Sequence, residues 1–161
     1  LGEKKILGDV GEILVRGETV MQGYWNLPKE TAETITFDGW LKTGDLGHLD
    51  QNNRLFISAG RKKDLIIRAG ENVSPLAIEN SLMNHPAILE VAAVGVPDER
   101  TGERVKVCVV LRQNVTATES ELKLFCRENL PAFMIPDYFQ FMDELPKTVT
   151  GKILKTELKK N

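Results

Sequence analysis

The chain has 161 residues, of which 42% are hydrophobic, and its formal net charge is -2. A chain of this length and composition can bury a core in one domain or slightly more. It has no apolar run of 18 residues and no basic segment followed by an apolar one at its start, so neither a transmembrane helix nor a secretory signal is predicted. Because 21 Lys and Arg stand against 23 Asp and Glu, a domain devoted to neutralising nucleic-acid phosphates is disfavoured.

The two cysteines, Cys108 and Cys126, lie in an apolar run and in a helical pattern, and neither belongs to a C-x-x-C motif. The histidines His48 and His85 do not cluster with them. This usage predicts buried or half-buried thiols in a reducing compartment and no metal site, and we expect a cytoplasmic protein. Both histidines are predicted to be structural or exposed, and no G-x-S-x-G motif supports a Ser-His-Asp triad.

Up to about residue 60, the sequence predicts short strands, turns and one brief helix. GEILVRG alternates apolar and polar residues, as a half-buried strand does. Pro28 stands at a plausible first helical position in LPKETAETI. The turn DQNN, residues 50–53, separates GDLGHLD from RLFIS and predicts a β-hairpin. Patterned sequence begins within ten residues of Leu1, which favours a piece cut from something longer.

After residue 64, strands alternate with helices in the pattern of an α+β module. The strand candidates are DLIIR, AILEVAAVGV, RVKVCVVLR and DYFQFMDEL. Ser74 and Pro75 make an N-cap and first-position pair for a helix that runs to about His85. A short basic helix is predicted from Gly151 to Lys160.

A second helix is predicted between these strands. Thr118 and Glu121 form the capping box that opens it, and Pro131 ends it. Its apolar residues fall on one face at offsets of three, four and eight from the first: Leu122, Phe125, Cys126 and Leu130.

Two segments pair turn glycines with side chains that suit a nucleotide. Asp45, in LKTGDL, can accept hydrogen bonds from both hydroxyls of a ribose diol, although an Asp that only shapes a turn explains the motif as well. Arg61, in GRKKD, offers a planar cation for diol or phosphate oxygens, and a surface charge at a turn is the alternative. Lys62 and Lys63, taken alone, are predicted to be solvated.

Two further segments join glycine to charge. Gly70 permits unusual backbone dihedrals or the close approach of a ligand, while a simple turn into the next helix explains Gly70, Glu71 and Asn72 equally well. Lys152 follows Gly151 near a helix start, where a mobile point charge can reach an anionic group. An exposed lysine in a basic tail is the alternative.

Taken together, these segments resemble motifs of the adenylate-forming superfamily. This superfamily includes acyl- and aryl-CoA synthetases, peptide-synthetase adenylation domains and beetle luciferases. Four stretches correspond to its motif blocks in order and spacing, and they cover essentially the whole chain: GEILVRGETVMQGYWNLPKET, WLKTGDLGHLD, GRKKDLIIRAGENVSPLAIEN and LPKTVTGKILKTEL.

The resemblance implies a two-step reaction with named residues. A carboxylate attacks the α-phosphate of ATP, which is bound with Mg²⁺, and gives an acyl adenylate and pyrophosphate. A thiol, usually that of coenzyme A, then displaces AMP. The resemblance implies that Asp45 binds the ribose hydroxyls with Arg61 beside it at the nucleotide, and that Lys152 reaches the substrate carboxylate and the α-phosphate in the first step.

For the second step, the resemblance implies that the loop of Gly70 and Glu71 moves in beside the thiol. Lys63 falls at the hinge about which the small domain rotates between the half-reactions. One departure is Lys155, which stands where the family commonly has arginine, so that the charge is kept and the planar fork is lost.

The same resemblance divides the chain into two parts. Residues 1–62 are expected to be the β-rich end of a large adenylating domain. Residues 63–161 are expected to be a small, mobile α+β domain with a three-stranded sheet and helices. The family's phosphate loop, adenine-binding segment and acyl pocket all precede Leu1, so we expect this stretch alone to be inactive.

Several functions stay open at this point. The favoured one is the C-terminal portion of an AMP-forming acyl-CoA synthetase that acts on a fatty or related acid, because the G-E-N sequence after the hinge resembles CoA ligases. The alternatives are transfer to a carrier-protein phosphopantetheine and a non-catalytic module with the same fold. Nucleic-acid binding is not predicted, and homo-oligomerisation is left open.

Overall fold

The computed structural model describes residues 8–160. They form two compact units, of which the first ends at Lys63 and the second begins at Asp64. A short 3-10 turn, Lys62–Asp64, contains this boundary. Within the described residues, no helix has both the length and the apolar character needed to cross a membrane.

The first unit is an antiparallel sheet with one helix. Strands β1 (Gly11–Val15), β2 (Leu41–Leu49) and β3 (Leu55–Arg61) lie in the order β1-β2-β3. Helix α1 (Pro28–Thr34) starts with the proline in its first turn. The predicted first strand, brief helix and β2–β3 hairpin are therefore confirmed.

This small sheet has little core of its own. Leu46 is the one buried hydrophobic side chain among its described residues. Along β3 the consecutive side chains of Leu55, Phe56 and Ile57 are 46–60% exposed, so both faces of that strand present apolar groups to solvent. A sheet of three strands needs a packed hydrophobic face or a packed helix to be stable by itself in water.

The second unit is built on a five-stranded sheet. Its strands are β4 (Ile66–Arg68), β5 (Glu71–Val73), β6 (Ile88–Asp98), β7 (Gly102–Leu111) and β8 (Tyr138–Phe141). Their order is β5-β4-β7-β6, and β8 pairs with β7 in parallel while the other pairs are antiparallel. Because β6 occupies one edge of β7, both β4 and β8 lie along the other.

The α+β class is confirmed, but the expectation of three strands is corrected to five. Strand β4 lies within the strand candidate DLIIR, whereas β5 has no counterpart in the prediction, and these two three-residue strands form a tight hairpin. Its turn uses Ala69 and Gly70, whose φ angles are 51° and 87°. Strands this short leave no alternating pattern in the sequence, which is why a simple turn into the next helix was one of the two interpretations of Gly70, Glu71 and Asn72.

Three α-helices and a 3-10 turn, Ala132–Met134, complete the described part of the second unit, and two of the predicted helix ends need correction. Helix α2 (Pro75–Leu82) begins at Ser74, whose hydroxyl accepts a hydrogen bond from Ala77 N, and it ends before His85. Helix α3 (Glu119–Asn129) has the predicted capping box. Helix α4 is confined to Lys155–Leu158, because the residues from Gly151 onward first close a loop.

The sheet is covered on both faces. One face packs on α2 and α3 through a large cluster of buried side chains that includes Ile78, Val107 and Leu122. The opposite face packs on the C-terminal residues through a smaller cluster that includes Cys108 and Leu158. Burial on both sides explains the nearly continuous apolar runs in β6 and β7, since strands with only one covered face alternate instead.

Candidate functional site

Asp45 and Arg61 occupy opposite positions on neighbouring strands. The two residues pair in the β2–β3 register, and Arg61 Nε lies 3.2 Å from Asp45 Oδ1. Their side chains are 38% and 52% exposed, respectively, so the carboxylate and the guanidinium both remain accessible to a ligand. A carboxylate beside a planar cation offers acceptors and donors to a vicinal diol at one place.

The residues before Asp45 hold this pair in place. Arg61 Nη2 donates a hydrogen bond of 3.0 Å to the Thr43 carbonyl, and the Thr43 hydroxyl accepts from Asp45 N at 3.1 Å. Gly44 lies between them with φ 75°, and a Cβ there would stand 3.4 Å from Arg61 Nη2. Glycine therefore supplies both the left-handed turn and the room for the guanidinium.

A small open cavity adjoins the arginine. Its volume is about 310 Å³, and it is lined by Gly44, Arg61, Lys62 and Lys63. The Lys62 ammonium lies 3.0 Å from Glu12 Oε2 while its side chain is 64% exposed, so it is both solvated and paired. Lys63 is exposed, and within residues 8–160 no hydrogen bond or ion pair holds its side chain.

Gly70 and Glu71 lie at the tip of the β4–β5 hairpin in the second unit. Both are exposed, and nothing lies within 4 Å of a Cβ built on Gly70. Ala69 N donates a hydrogen bond of 2.7 Å to the Thr101 carbonyl, which ties the turn to the start of β7. The hairpin therefore presents an open glycine turn at the edge of the sheet.

Lys152 closes a loop between β8 and α4. Thr148 N donates to the Lys152 carbonyl at 2.7 Å, and Lys152 N donates to the Thr148 hydroxyl at 3.1 Å. Gly151 takes a φ of 82°, which permits this tight closure. The Lys152 side chain is exposed, and its ammonium has no hydrogen bond or ion pair within the described part of the chain. The backbone is fixed while the charge is free to reach a ligand.

The lysines flanking this loop have structural partners. Lys147 Nζ lies 2.7 Å from Glu90 Oε1 on β6, and Lys155 Nζ lies 2.7 Å from Glu79 Oε1 on α2. The contact of Lys155 goes to a single carboxylate oxygen. This agrees with the loss of a two-pronged contact expected where lysine replaces arginine.

The Gly70 turn and the Lys152 loop lie at opposite ends of the sheet. The hairpin meets β7 at Gly102, which pairs with Asp98 at the end of β6. The Lys152 loop is tied through Lys147 to Glu90, near the start of β6. Eight residues separate Glu90 from Asp98, which corresponds to roughly 26 Å along a strand. The second unit therefore carries two candidate segments at separate places.

The histidines and cysteines have structural surroundings. His48 stacks on Phe56 with ring centroids 5.6 Å apart, and His85 meets the edge of Phe125 at 5.0 Å. Cys108 and Cys126 are free and buried, as predicted. Burial raises the pKa of both thiols above the ordinary value of 9.0, that of Cys126 to about 11.

Several residues that contact the candidate site residues, or lie near them, were not predicted from the sequence. The sequence does contain a signal for Thr43. A Thr hydroxyl commonly bonds to backbone two residues further on, and here it accepts from Asp45 N. Glu12 and Asp137 gave no such signal, because their partners Lys62 and Arg68 lie 50 and 69 residues away.

Comparison with known proteins identifies the class. Residues 77–152 match the family model of the AMP-binding enzyme C-terminal domain. A long-chain-fatty-acid–CoA ligase of Bacillus subtilis is 47% identical over 148 residues, which are 92% of this chain and 26% of that protein. A sulfoacetate–CoA ligase of Cupriavidus necator is 44% identical over 151 residues, 94% of this chain and 30% of that protein.

Solved structures agree with this result. The crystal structure of ATP-bound MatB from Rhodopseudomonas palustris matches with a TM-score of 0.91 and 36% identity, over 98% of this chain and 31% of that one. The predicted relationship to the adenylate-forming enzymes is thereby confirmed, and residues 77–152 belong to the family of AMP-binding enzyme C-terminal domains. The chain spans less than a third of the length of these relatives.

Proposed function

We propose that this chain is the C-terminal portion of an AMP-forming acid–thiol ligase. In the first step, a carboxylate oxygen bonds to the α-phosphorus of ATP and pyrophosphate leaves. In the second step, a thiol sulfur bonds to the acyl carbon, AMP leaves, and the thiol proton is released. The relatives' names, which specify CoA ligases, support this assignment.

The observation that carries the proposal is the placement of two candidate segments at opposite ends of one sheet. Each half-reaction needs different groups beside the same acyl phosphate. A unit that carries Lys152 at one end and the Gly70 turn at the other can present first one and then the other to the acyl phosphate if it rotates. We assign the hinge to Lys63, which lies at the boundary between the units. Hinges are commonly a few residues at the end of an element.

Asp45 and Arg61 are assigned to the ribose of ATP and of the acyl adenylate. The carboxylate accepts hydrogen bonds from the two hydroxyls, and the guanidinium, held by the Thr43 carbonyl, donates to an oxygen beside them. A ligand must be able to reach both side chains, so their exposure supports this role.

Lys152 is assigned to the first step and the Gly70–Glu71 turn to the second. Negative charge accumulates on the α-phosphate as the carboxylate attacks, and a positioned cation stabilises that charge. The fixed backbone and free ammonium of Lys152 suit this task. At the Gly70 turn, the absence of a side chain leaves room for a narrow substituent such as a pantetheine arm.

The substrates are assigned as ATP with Mg²⁺, coenzyme A and a carboxylic acid, for which a fatty acid is our first choice. Within residues 8–160 there is no group of three metal-ligating side chains, so we expect Mg²⁺ to enter with the ATP phosphates. The exposed apolar side chains of β3 support a larger domain that covers them. A cytoplasmic location remains part of this proposal.

The test is a thioester assay on the full-length protein with ATP, Mg²⁺ and a panel of acids that includes fatty acids and sulfoacetate. We expect an acyl thioester of CoA and one AMP for each thioester formed. Thioester formation on a carrier-protein phosphopantetheine but not on CoA would overturn the choice of acceptor. Absence of both ATP–pyrophosphate exchange and thioester would leave the non-catalytic module in its place.

A further inference from the structure

We propose that Arg68 is a positioning residue that sets the Gly70–Glu71 turn for thioester formation by anchoring the β4–β5 hairpin to the segment before β8. The inference rests on the proposed function, since it takes the Gly70 turn as the part that meets the thiol. It assigns Arg68 a role in one half-reaction and not in the other.

The hairpin has few backbone ties to the rest of the sheet. Strand β4 meets β7 at a single register pair, Arg68 with Gly102, and β5 pairs with β4 alone. Each of the two strands has three residues. So short a ladder fixes only a small part of the hairpin's orientation, and side-chain contacts must supply the remainder.

Arg68 supplies such contacts to a separate segment. Its Nη1 donates to the carbonyls of Phe133 at 3.3 Å and Ile135 at 2.9 Å, and its Nη2 lies 2.9 Å from Asp137 Oδ1. The other carboxylate oxygen of Asp137 accepts a 2.8 Å hydrogen bond from Val105 N. The arginine is thus joined through Asp137 to β7 itself.

Both partners of this ion pair are largely shielded from water. The side chains of Arg68 and Asp137 are 24% and 23% exposed. Screening is therefore weaker than for a surface pair. The planar guanidinium serves three acceptors at once, a geometry that a lysine ammonium does not reproduce.

Other hydrogen bonds of the hairpin join it to residues 101–103 at the start of β7, while its buried Ile66 and Val73 pack into the core of the second unit. Glu103 Oε2 accepts from Ile67 N at 2.7 Å, and the Thr101 carbonyl accepts from Ala69 N at 2.7 Å. The Thr101 hydroxyl and amide both donate to Asp98, and these bonds hold the pKa of the Asp98 carboxyl below its usual range. Arg68 differs from these groups because its hydrogen bonds reach residues 133–137, against which β5 also packs, and we take this tie to set the angle of the turn.

The experiment measures the two half-reactions separately in the full-length protein with Arg68→Met and Arg68→Lys. Adenylate formation is followed by ATP–pyrophosphate exchange. Thioester formation is followed in a single turnover from supplied acyl adenylate and CoA. The matched control is Lys123→Met, which removes another ion pair of the second unit, between Lys123 and Glu119 within α3.

We expect Arg68→Met to slow thioester formation by about tenfold to 100-fold and to change the exchange rate by less than about threefold, because small misplacements of a positioned group cost rate. Arg68→Lys should lie between Arg68→Met and the unmodified protein, since it keeps the charge and loses the fork. Lys123→Met should change neither rate. Hydrogen exchange at the Ile67 and Ala69 amides should accelerate in Arg68→Met.

An equal loss in both half-reactions would assign Arg68 a merely structural role and overturn the proposal, as would an unchanged thioester rate. If Arg68→Met does not fold, Asp137→Asn replaces it. An amide has one acceptor oxygen and so cannot serve both Arg68 and Val105 N. The same unequal effect on the two steps is expected there. A full-length protein that performs neither step would instead refute the proposed function.

Discussion

Asp45 and Arg61 face each other across β2 and β3, with Arg61 Nε 3.2 Å from Asp45 Oδ1 and a second guanidinium nitrogen bound to the Thr43 carbonyl. Because both side chains are more than a third exposed, the ion pair contributes little to folding, about 0–1 kcal/mol. Substitutions at this pair therefore report on ligand binding more than on stability.

Arg61→Lys in the full-length protein should weaken ATP binding. A lysine cannot contact Asp45, the Thr43 carbonyl and a ribose oxygen together. Since a hydrogen bond to a charged group contributes about 1.5–3 kcal/mol, we expect the KM for ATP to rise roughly tenfold or more. Steady-state kinetics with ATP varied gives this value. Arg54→Lys is the matched control, because Arg54 pairs with Asp50 in the β2–β3 turn; an equal rise there would refute the assignment.

Residues 64–161 should fold without the first unit. With the exception of Leu46, the buried hydrophobic side chains of the described residues all belong to the second unit. A chain of about a hundred residues with its own core is of ordinary domain size. Circular dichroism should show a cooperative thermal transition for residues 64–161 and none for residues 1–63. A cooperative transition for residues 1–63 would contradict this account of the core.

Thr118→Ala should destabilise the second unit by about 1 kcal/mol, the usual effect of removing an N-cap hydroxyl. Thr118 Oγ1 accepts from Glu121 N, and Glu121 Oε2 accepts from Thr118 N at 2.7 Å. The first of these bonds is lost and the second remains. Urea denaturation measures the change, and Thr116→Ala is the control, because Thr116 is exposed and its side chain makes no hydrogen bond within residues 8–160.

The same substitution should alter one titration. Hydrogen bonds from the Thr118 amide, and then from its hydroxyl, hold the pKa of Glu121 below its usual range. In Thr118→Ala the pKa should rise without returning fully to the ordinary value, since the amide still donates. Titration of the Glu121 carboxyl by NMR measures this, and an unchanged pKa would show that the hydroxyl makes no contribution.

Both thiols should resist modification in the folded protein. Burial raises the pKa of Cys126 to about 11 and raises that of Cys108 as well, so at pH 8 the reactive thiolate is scarce. The pKa of each thiol is higher in the folded state than in the unfolded state. The resulting contribution to the free energy of unfolding is fully present below the pKa of the unfolded state and is lost as the pH rises through the pKa of the folded state. Stability should therefore fall between pH 9 and 11. Ellman's reagent at pH 8 should label both cysteines only after denaturation; rapid labelling of the native protein would contradict their burial.

Local patterns predicted most of the fold, and they failed where length or distance removed the signal. Strands β6 and β7 are ten residues or longer and contain long apolar runs, and the α3 capping box lies within four residues. The pairing of β4 with β5 was not predicted, because strands of three residues are too short to show an alternation of apolar and polar residues. The helix predicted from Gly151 was too long, because the Thr148 hydroxyl and the Lys147–Ile153 bridge close that stretch into a loop.

The candidate site was predicted residue by residue, but its arrangement was not. The resemblance implies that Asp45 and Arg61 lie beside the same ribose, and the antiparallel register adds that they form an ion pair across β2 and β3. The separation of the Gly70 turn from Lys152 likewise depends on where each segment joins the sheet. Arg68 gave no signal, since its partner Asp137 is 69 residues away and neither lies in a turn pattern.

Substitution of Lys152 tests whether the two half-reactions use different groups of the second unit. In the full-length protein, Lys152→Ala should slow ATP–pyrophosphate exchange by about 100-fold or more, the usual effect of removing a group that stabilises transition-state charge. Thioester formation from supplied acyl adenylate should stay close to that of the unmodified protein. Lys159→Ala, an exposed lysine of the same basic segment, is the control and should alter neither rate.

The decisive measurement is therefore the ratio of the two half-reaction rates in Lys152→Ala relative to the unmodified protein. Our account predicts that adenylate formation collapses while thioester formation continues. An equal loss of both steps, or an unchanged rate of adenylate formation, would contradict it.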